Sequence, residues 1–362
     1  MTIHQTSTAG LDGVEAAVTM LSHVNGEAGE LVIAGSRVGE LASESSFEGV
    51  VARLWSAASA GETAEADVRA ALGQARLRAF RRLPDILPAT RGLPIMDGFR
   101  AAVAAIGPED GLSPEVTLVG ALPVLAAALV RQAAGKNPVA PDATLGEAAD
   151  LLRMLRGEAA STAEARALDA YLVTVSDHGM NASTFAARVV ASTQANLFMS
   201  VTAAYCALSG PLHGGAPGPV LDMLDAIGTR ENIAPWVDAA LARGDRLMGF
   251  GHRIYKVRDP RADVLKRAVD RLGVSKADLG LAAEVEDYAR MALEKAKPGR
   301  RLDTNVEFYT AILLDALKIP RDAFTPIFAA ARAAGWTAHA IEQQRTGRLL
   351  RPSSVYVGPM PA

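Results

Sequence analysis

The sequence predicts an almost wholly helical protein built as two domains. Three observations carry that reading. Hydrophobic residues make up 49% of the 362 but aromatics only 5%, so the core is chiefly alanine, leucine and valine, which favours close-packed helices. Apolar residues recur with helical spacing along most of the chain, between capping residues and short Gly/Pro punctuation. Only one stretch alternates as a strand does.

That stretch is residues 18–34, "VTMLSHVNGEAGELVIA", and its centre "VNGEAG" reads as the turn of a small N-terminal β-hairpin. From "SESSFEGVVARLW" onward the pattern is helical. Ser45 and Glu48 have capping-box spacing, as do Ser161 and Glu164 ahead of "ARALDAYLVTV". Further helices are expected near 182–207, 216–227, 230–242, 260–272, 281–296, 305–318 and 324–343. No self-similar period marks a solenoid. Glycine-rich loops and charges become denser after about residue 209, and apolar helices resume after "KIPRDAF". Residues 215–318 are therefore read as a small domain set into a large one made of 1–214 and 319–362.

A net charge of −3 argues against a nucleic-acid partner, which would demand a broad basic surface. Any anionic ligand must be met locally. The one cysteine, Cys206, excludes an internal disulfide framework and a multi-cysteine metal site, and fits a reducing, cytoplasmic setting. In its apolar stretch "VTAAYCALSG" it reads as a buried, inert thiol. The opening "MTIHQTSTAG" lacks the basic and apolar regions of a signal peptide. No apolar run is read as reaching the ~18 residues of a membrane span, so no membrane partner is expected.

Three of the six histidines stand beside glycine in loops: His178 in "SDHGMNAST", His213 in "GPLHGGAPG" and His252 in "MGFGHRIYK". Glycine lets bare backbone approach a ligand, and three such loops together point to a binding site. No pair has the spacing of a helical zinc motif, so no metal is expected. In "GHRIYKVRDPRADVLKR", Asp259 reads as an N-cap and Pro260 as the first helical residue. Arg261 then falls in the first turn, where the helix dipole disfavours a cation, and a bound anion would remove the conflict. Arg332 flanks an apolar face formed by Phe324, Ile327, Phe328, Ala331, Gly335 and Ala338. It either snorkels to solvent or aims its guanidinium into a cleft. Glu307 has Thr304 three residues before it, so it is either a capping-box partner or a base, and the positive helix end would keep it ionised. Histidines, arginines and one carboxylate suit proton abstraction beside a carbonyl, with arginines holding carboxylates.

The ordered series "DHGMNASTFAARV", "SGPLHGGAPG", "GFGHRIYKVRDPRA", "NVEFYTA", "FTPIFAAARAAGWTAHAIEQ" and "RPSSVYVG" closely resembles the citrate synthase family, across nearly the whole chain. The resemblance implies a mostly helical two-domain dimer whose small domain closes over oxaloacetate and acetyl-CoA. By motif, His213 matches the histidine that hydrogen-bonds the thioester oxygen, and His252 the one that polarises the ketone. Glu307 matches the base that removes the methyl proton, although the commoner residue there is aspartate. His178, Arg261 and Arg332 match dicarboxylate ligands, Arg351 an arginine supplied to the neighbouring subunit, and Lys256 a basic position near the coenzyme A phosphates. The thioester is a substrate, and no permanently bound cofactor is implied. The N-terminal region is shorter than in the NADH-regulated hexameric members, so a homodimer is expected. Two alternatives stay open: a 2-methylcitrate synthase using propionyl-CoA, and a non-catalytic paralogue with a regulatory or assembly role.

Overall fold

A computed structural model describes residues 11, 13–214, 217–273, 276–354 and 356–361, so the first ten residues and the motif residues Gly215, Ala216 and Val355 lie outside the described part. The chain begins with a three-stranded antiparallel sheet, β1 (Ser22–Asn25), β2 (Glu30–Ile33) and β3 (Ser36–Arg37). The expected hairpin is β1–β2, with Ser22 opposite Ile33 and Asn25 opposite Glu30. The Asn25 side chain accepts from Ala28 N–H at 3.1 Å, and Gly29 closes the turn at φ +65°. Strand β3, which the alternation does not reveal, pairs with Val32 and Ile33.

Fifteen α-helices follow among the described residues. The first nine are α1 (Val38–Glu44), α2 (Phe47–Ser59), α3 (Glu65–Ile86), α4 (Ile95–Ala104), α5 (Pro114–Ala133), α6 (Glu147–Arg156), α7 (Thr162–Val175), α8 (Ala182–Ser192) and α9 (Leu197–Leu208). Then come α10 (Pro217–Ile227), α11 (Ile233–Ala242), α12 (Pro260–Arg271), α13 (Lys276–Ala296), α14 (Val306–Ala316) and α15 (Phe324–Thr346).

Local chemistry explains the boundaries. Ser161 and Glu164 form both halves of the expected capping box, with Glu164 N–H donating to the Ser161 hydroxyl at 3.2 Å and Ser161 N–H to the Glu164 carboxylate at 2.8 Å. The other expected box does not form; a simple cap one residue later takes its place. Ser46 caps α2, accepting from Gly49 N–H at 3.0 Å, while Ser45 ends α1 through its N–H to Leu41 O. The single helix expected over 182–207 is two, because Gln194 takes φ +65° and Asn196 restarts the chain by capping α9.

Helix α15 lies at the centre, against α2, α5, α7, α8 and α9. It is buried on all sides rather than on one face: Trp336, Thr337 and His339 have no exposed surface. Helix α5 corrects a second expectation. Its 20 residues are long and apolar enough to cross a membrane, but they are mostly buried in the core by α3, α6 and α15. Thr117, Gly120 and Pro123 break its apolar run in the sequence, which hides that length. Helices α10, α12 and α14 pack together and α11 packs on α13, while α12 also meets α7 and α1. Cys206 is exposed on α9, against expectation. An apolar neighbourhood in sequence does not specify which helix face is covered.

Candidate active site

Helix α7 ends at Val175, and the chain turns through Gly179, φ +58°, before Asn181 caps α8. His178 sits in this turn, buried, with Nε2 3.1 Å from the Tyr255 hydroxyl. The turn is pressed against α15, since a Cβ on Gly335 would lie 2.5 Å from both Ser176 O and Asp177 Oδ1. Only glycine admits that approach. Behind it, His339 accepts from Arg188 Nε at Nδ1 (2.9 Å), so its ring proton sits on Nε2, 3.1 Å from Asp177 Oδ1.

His213 follows α9 in a turn held by Gly214 N–H to Leu208 O, 2.8 Å, and by the Thr325 hydroxyl of α15 donating to Gly214 O, 2.9 Å. Its Nε2 is 2.9 Å from the Ser183 hydroxyl, which also accepts from Trp336 Nε1 at 3.1 Å. Asn181 Oδ1, 2.8 Å from that hydroxyl, already takes the N–H groups of Ser183 and Thr184. The Ser183 hydroxyl donates to that oxygen and presents its own oxygen to Trp336 and to the His213 ring.

A short backbone ladder joins the third histidine to the carboxylate. Phe250 bridges Thr304, Gly251 N–H donates to Asp303 O at 2.7 Å, and Asn305 N–H to Gly249 O at 2.9 Å. His252 Nδ1 accepts from both Ile254 N–H (3.0 Å) and Tyr255 N–H (3.1 Å). The proton of this ring must then lie on Nε2, which is 3.4 Å from Arg261 Nη2. Two donors converge there, a setting for a carbonyl or carboxylate oxygen.

Asp259 caps α12 as expected, accepting from Arg261 N–H at 3.0 Å. It also grips the Arg261 side chain with both oxygens, at 3.0 and 2.8 Å, and accepts from Val306 N–H at 3.2 Å. The cation in the first turn is thus matched within the chain, without an external anion. Arg332 is buried, so it does not snorkel. Its Nε donates to Val175 O at 2.5 Å and its guanidinium lies 4.8 Å from the centre of the Phe328 ring.

The capping alternative for Glu307 falls away. Asn305 caps α14, accepting from Glu307 N–H at 3.0 Å, while the Thr304 hydroxyl turns to Glu286 at 2.7 Å. The half-buried Glu307 carboxyl accepts no hydrogen bond among the described residues. Burial pushes it up to about 7, Asp259 adds to that push, and Arg261 and Arg332 oppose it. The expectation that the helix end keeps it fully ionised is therefore corrected. Burial, then the charges of Arg261 and Arg332, hold His213 down at about 4 and His178 well below its ordinary value. His252 is also held at about 4, by burial and then Arg261. Burial lowers Arg332 to about 10, which leaves it a cation at neutral pH. Neutral imidazoles, two buried cations and one carboxyl of adjustable charge can bind a dianion, donate hydrogen bonds to oxygen and take a proton from carbon.

The cluster therefore links His178, His252, Arg261 and Arg332 with Glu307 and His213 through contacts and shared fields. Lys256 and Arg351 are exposed, with no side-chain bond to the cluster among the described residues. Ser183, Tyr255, Asn305 and Trp336 support the site yet carry no signal in the sequence beyond their nearness to the motifs. Cavity size does not locate the site. One cavity of about 490 Å³ lies between residues 16–20 and the end of α15, and another of about 450 Å³ between the β1–β2 turn and α12.

The family model described as "Citrate synthase, C-terminal domain" matches residues 10–353. A citrate synthase of Haloferax volcanii is 38% identical over 96% of this chain and 95% of its own. A 2-methylcitrate synthase of Mycobacterium tuberculosis is 36% identical over 96% and 90% respectively. The solved ternary complex of Thermoplasma acidophilum citrate synthase with carboxymethyl coenzyme A and oxaloacetate superposes with a TM-score of 0.86, at 27% identity, covering 98% of this chain and 97% of that one. Fold, motif order and these matches agree: the chain belongs to the citrate synthase family of acyltransferases.

Proposed function

We propose that the protein condenses acetyl-CoA with oxaloacetate, giving citrate and coenzyme A. The observation that carries this reading is the Glu307 carboxyl, free of hydrogen bonds among the described residues and poised near 7, beside imidazoles held neutral and two buried arginines. Arg261, Arg332 and His178 hold the dicarboxylate. Glu307 removes a proton from the thioester methyl group, and His213 donates a hydrogen bond to the oxygen of the resulting enolate. The α-carbon attacks the ketone carbon while the proton on His252 Nε2 passes to the developing alkoxide. Water then cleaves the citryl thioester, releasing coenzyme A. The ligands solved in the Thermoplasma relative support these two substrates.

Further parts of the proposal are a homodimer in which Arg351 completes the neighbouring site, Lys256 near the coenzyme A phosphates, and closure of residues 215–318 over the substrates. A cytoplasmic enzyme without a resident cofactor completes it. The Mycobacterium tuberculosis relative favours a second reading, 2-methylcitrate synthesis from propionyl-CoA. One methylene in an apolar pocket is worth only ~1–3 kcal/mol of discrimination, so few side chains decide between them. The test is coenzyme A release with oxaloacetate and either thioester. A higher kcat/KM for acetyl-CoA is expected. A higher value for propionyl-CoA moves the assignment to the second reading, and ligand binding without release with either thioester marks a non-catalytic paralogue.

A further inference from the structure

We propose that the β1–β2 turn is a positioning element for the reaction, with Gly26 and Gly29 holding the loop that orients His252; this rests on the function proposed above. The turn grips that loop on both sides of Tyr255. Lys256 N–H donates to Gly26 O at 2.9 Å. A Cβ on Gly26 would lie 2.2 Å from Ile254 O and 2.8 Å from Ile254 C, so hairpin and loop meet backbone to backbone. Ile254 is one of the two residues whose N–H groups fix His252 Nδ1. Gly29, at φ +65°, would place a Cβ 2.7 Å from Val257 Cγ2 and 3.2 Å from Arg258 O. Two residues before Gly26, Val24 Cγ2 is 3.3 Å from where a Cβ on Gly179, the residue after His178, would stand.

One hairpin therefore braces both segments that carry dicarboxylate-facing histidines. Tyr255 ties them a second time, through its N–H to His252 and its hydroxyl to His178. A methyl group at Gly26 cannot be relieved by a rotamer, because the opposing atoms are main chain. The hairpin or the loop must shift by about 1 Å, a displacement that can cost ~100-fold in rate when it moves a catalytic group. Gly26 does not have a positive φ, so alanine there tests the contact rather than backbone strain.

The experiment is Gly26→Ala in the full chain. Expected results are a fall in kcat of order 10- to 100-fold and a raised KM for oxaloacetate. The KM for the thioester should rise less than that for oxaloacetate, since the turn reaches the thioester side only through the main chain of Lys256 and touches none of the residues assigned to the thioester oxygen or methyl group. A second readout needs no turnover: in protein labelled with ¹⁵N-histidine, the Nε2–H tautomer signal of His252, assigned by its loss in His252→Asn, should be altered in Gly26→Ala. If kinetics and signal both stay as in the wild type, the positioning role is wrong. If the wild type itself condenses neither thioester, the proposed function fails and the imidazole signal alone decides this inference. Should Gly26→Ala not fold, Gly29→Ala is compared with Gly29→Ala/Val257→Ala. Recovery in the double variant supports contact with the loop, and no recovery together with an unaltered His252 signal overturns the proposal.

Discussion

Glu307 sets two opposing effects on one side chain. The positive end of α14 favours its charged form by ~0.3–1 kcal/mol, while burial moves its pKa from 4.5 to about 7, a shift toward the neutral form of roughly 3 kcal/mol relative to a solvated glutamate. Burial wins, and the carboxyl titrates where a base working at neutral pH should. A base acts only when ionised, so kcat/KM should rise with pH through about 7 in a coenzyme A release assay between pH 5.5 and 8.5. Glu307→Gln should lower turnover by ~10²–10⁴ and abolish that limb; near-full turnover would remove Glu307 from the role of base. The sequence shows why this residue was ambiguous: Thr304 and Glu307 have the capping spacing, and only the fold reveals that Asn305 has taken the cap. His178, His213 and His252 were legible because each stands beside glycine. Ser183 and Tyr255 were not, since a hydroxyl that orients a ring from another segment leaves no local pattern.

Elements were legible wherever both partners of a local interaction lie within one turn. The Ser161–Glu164 box is such a case, and the Asp259 cap another. Helix α15 is the opposite case. Periodicity leaves Arg332 open between solvent and a cleft, yet Arg332, His339 and Glu342 are met inside the core by Val175 O, Asp177 and Arg188. Long-range polar partners cannot be read from periodicity. The same principle gives a prediction at the junction of α7 and α2, where Asp169 accepts from Phe47 N–H at 3.0 Å. Burial pushes its carboxyl up from 3.8 to about 7, and Glu48 and Glu65 add to that push. The folded value lies above the unfolded one, so the stability this group contributes is full below 3.8 and lost as pH rises through about 7. Asp169→Asn keeps the acceptor and removes the charge. It should raise Tm at pH 8 by about 2–4 °C, with the gain vanishing as the pH approaches 4; calorimetry at the two pH values checks it.

At the scale of the whole molecule, the exposed Val18 and Met20 border the cavity beside the end of α15, and the tail beyond α15 carries Arg351. If that arginine serves the neighbouring subunit, inactive Arg351→Ala and His252→Ala proteins should complement each other. Random exchange of equal amounts should recover roughly a quarter of wild-type activity, because each hybrid dimer holds one intact site. Exchanged hybrids that stay silent would place Arg351 outside the site. The all-helical architecture was legible from composition and punctuation, whereas the central place of α15 was not, since nothing in a single helix tells how many others surround it. That central place also orders the protein's birth. Residues 324–346 leave the ribosome after α2, α5, α7, α8 and α9, the helices they lie among. At ~5–20 residues per second, the growing chain holds an apolar slot open for roughly 7 to 28 seconds after α9 is made before its filler is complete. Chaperone demand during synthesis should therefore track the delay before α15 emerges, and a chain stalled short of Phe324 should be held by chaperones rather than accumulate as a half-folded enzyme.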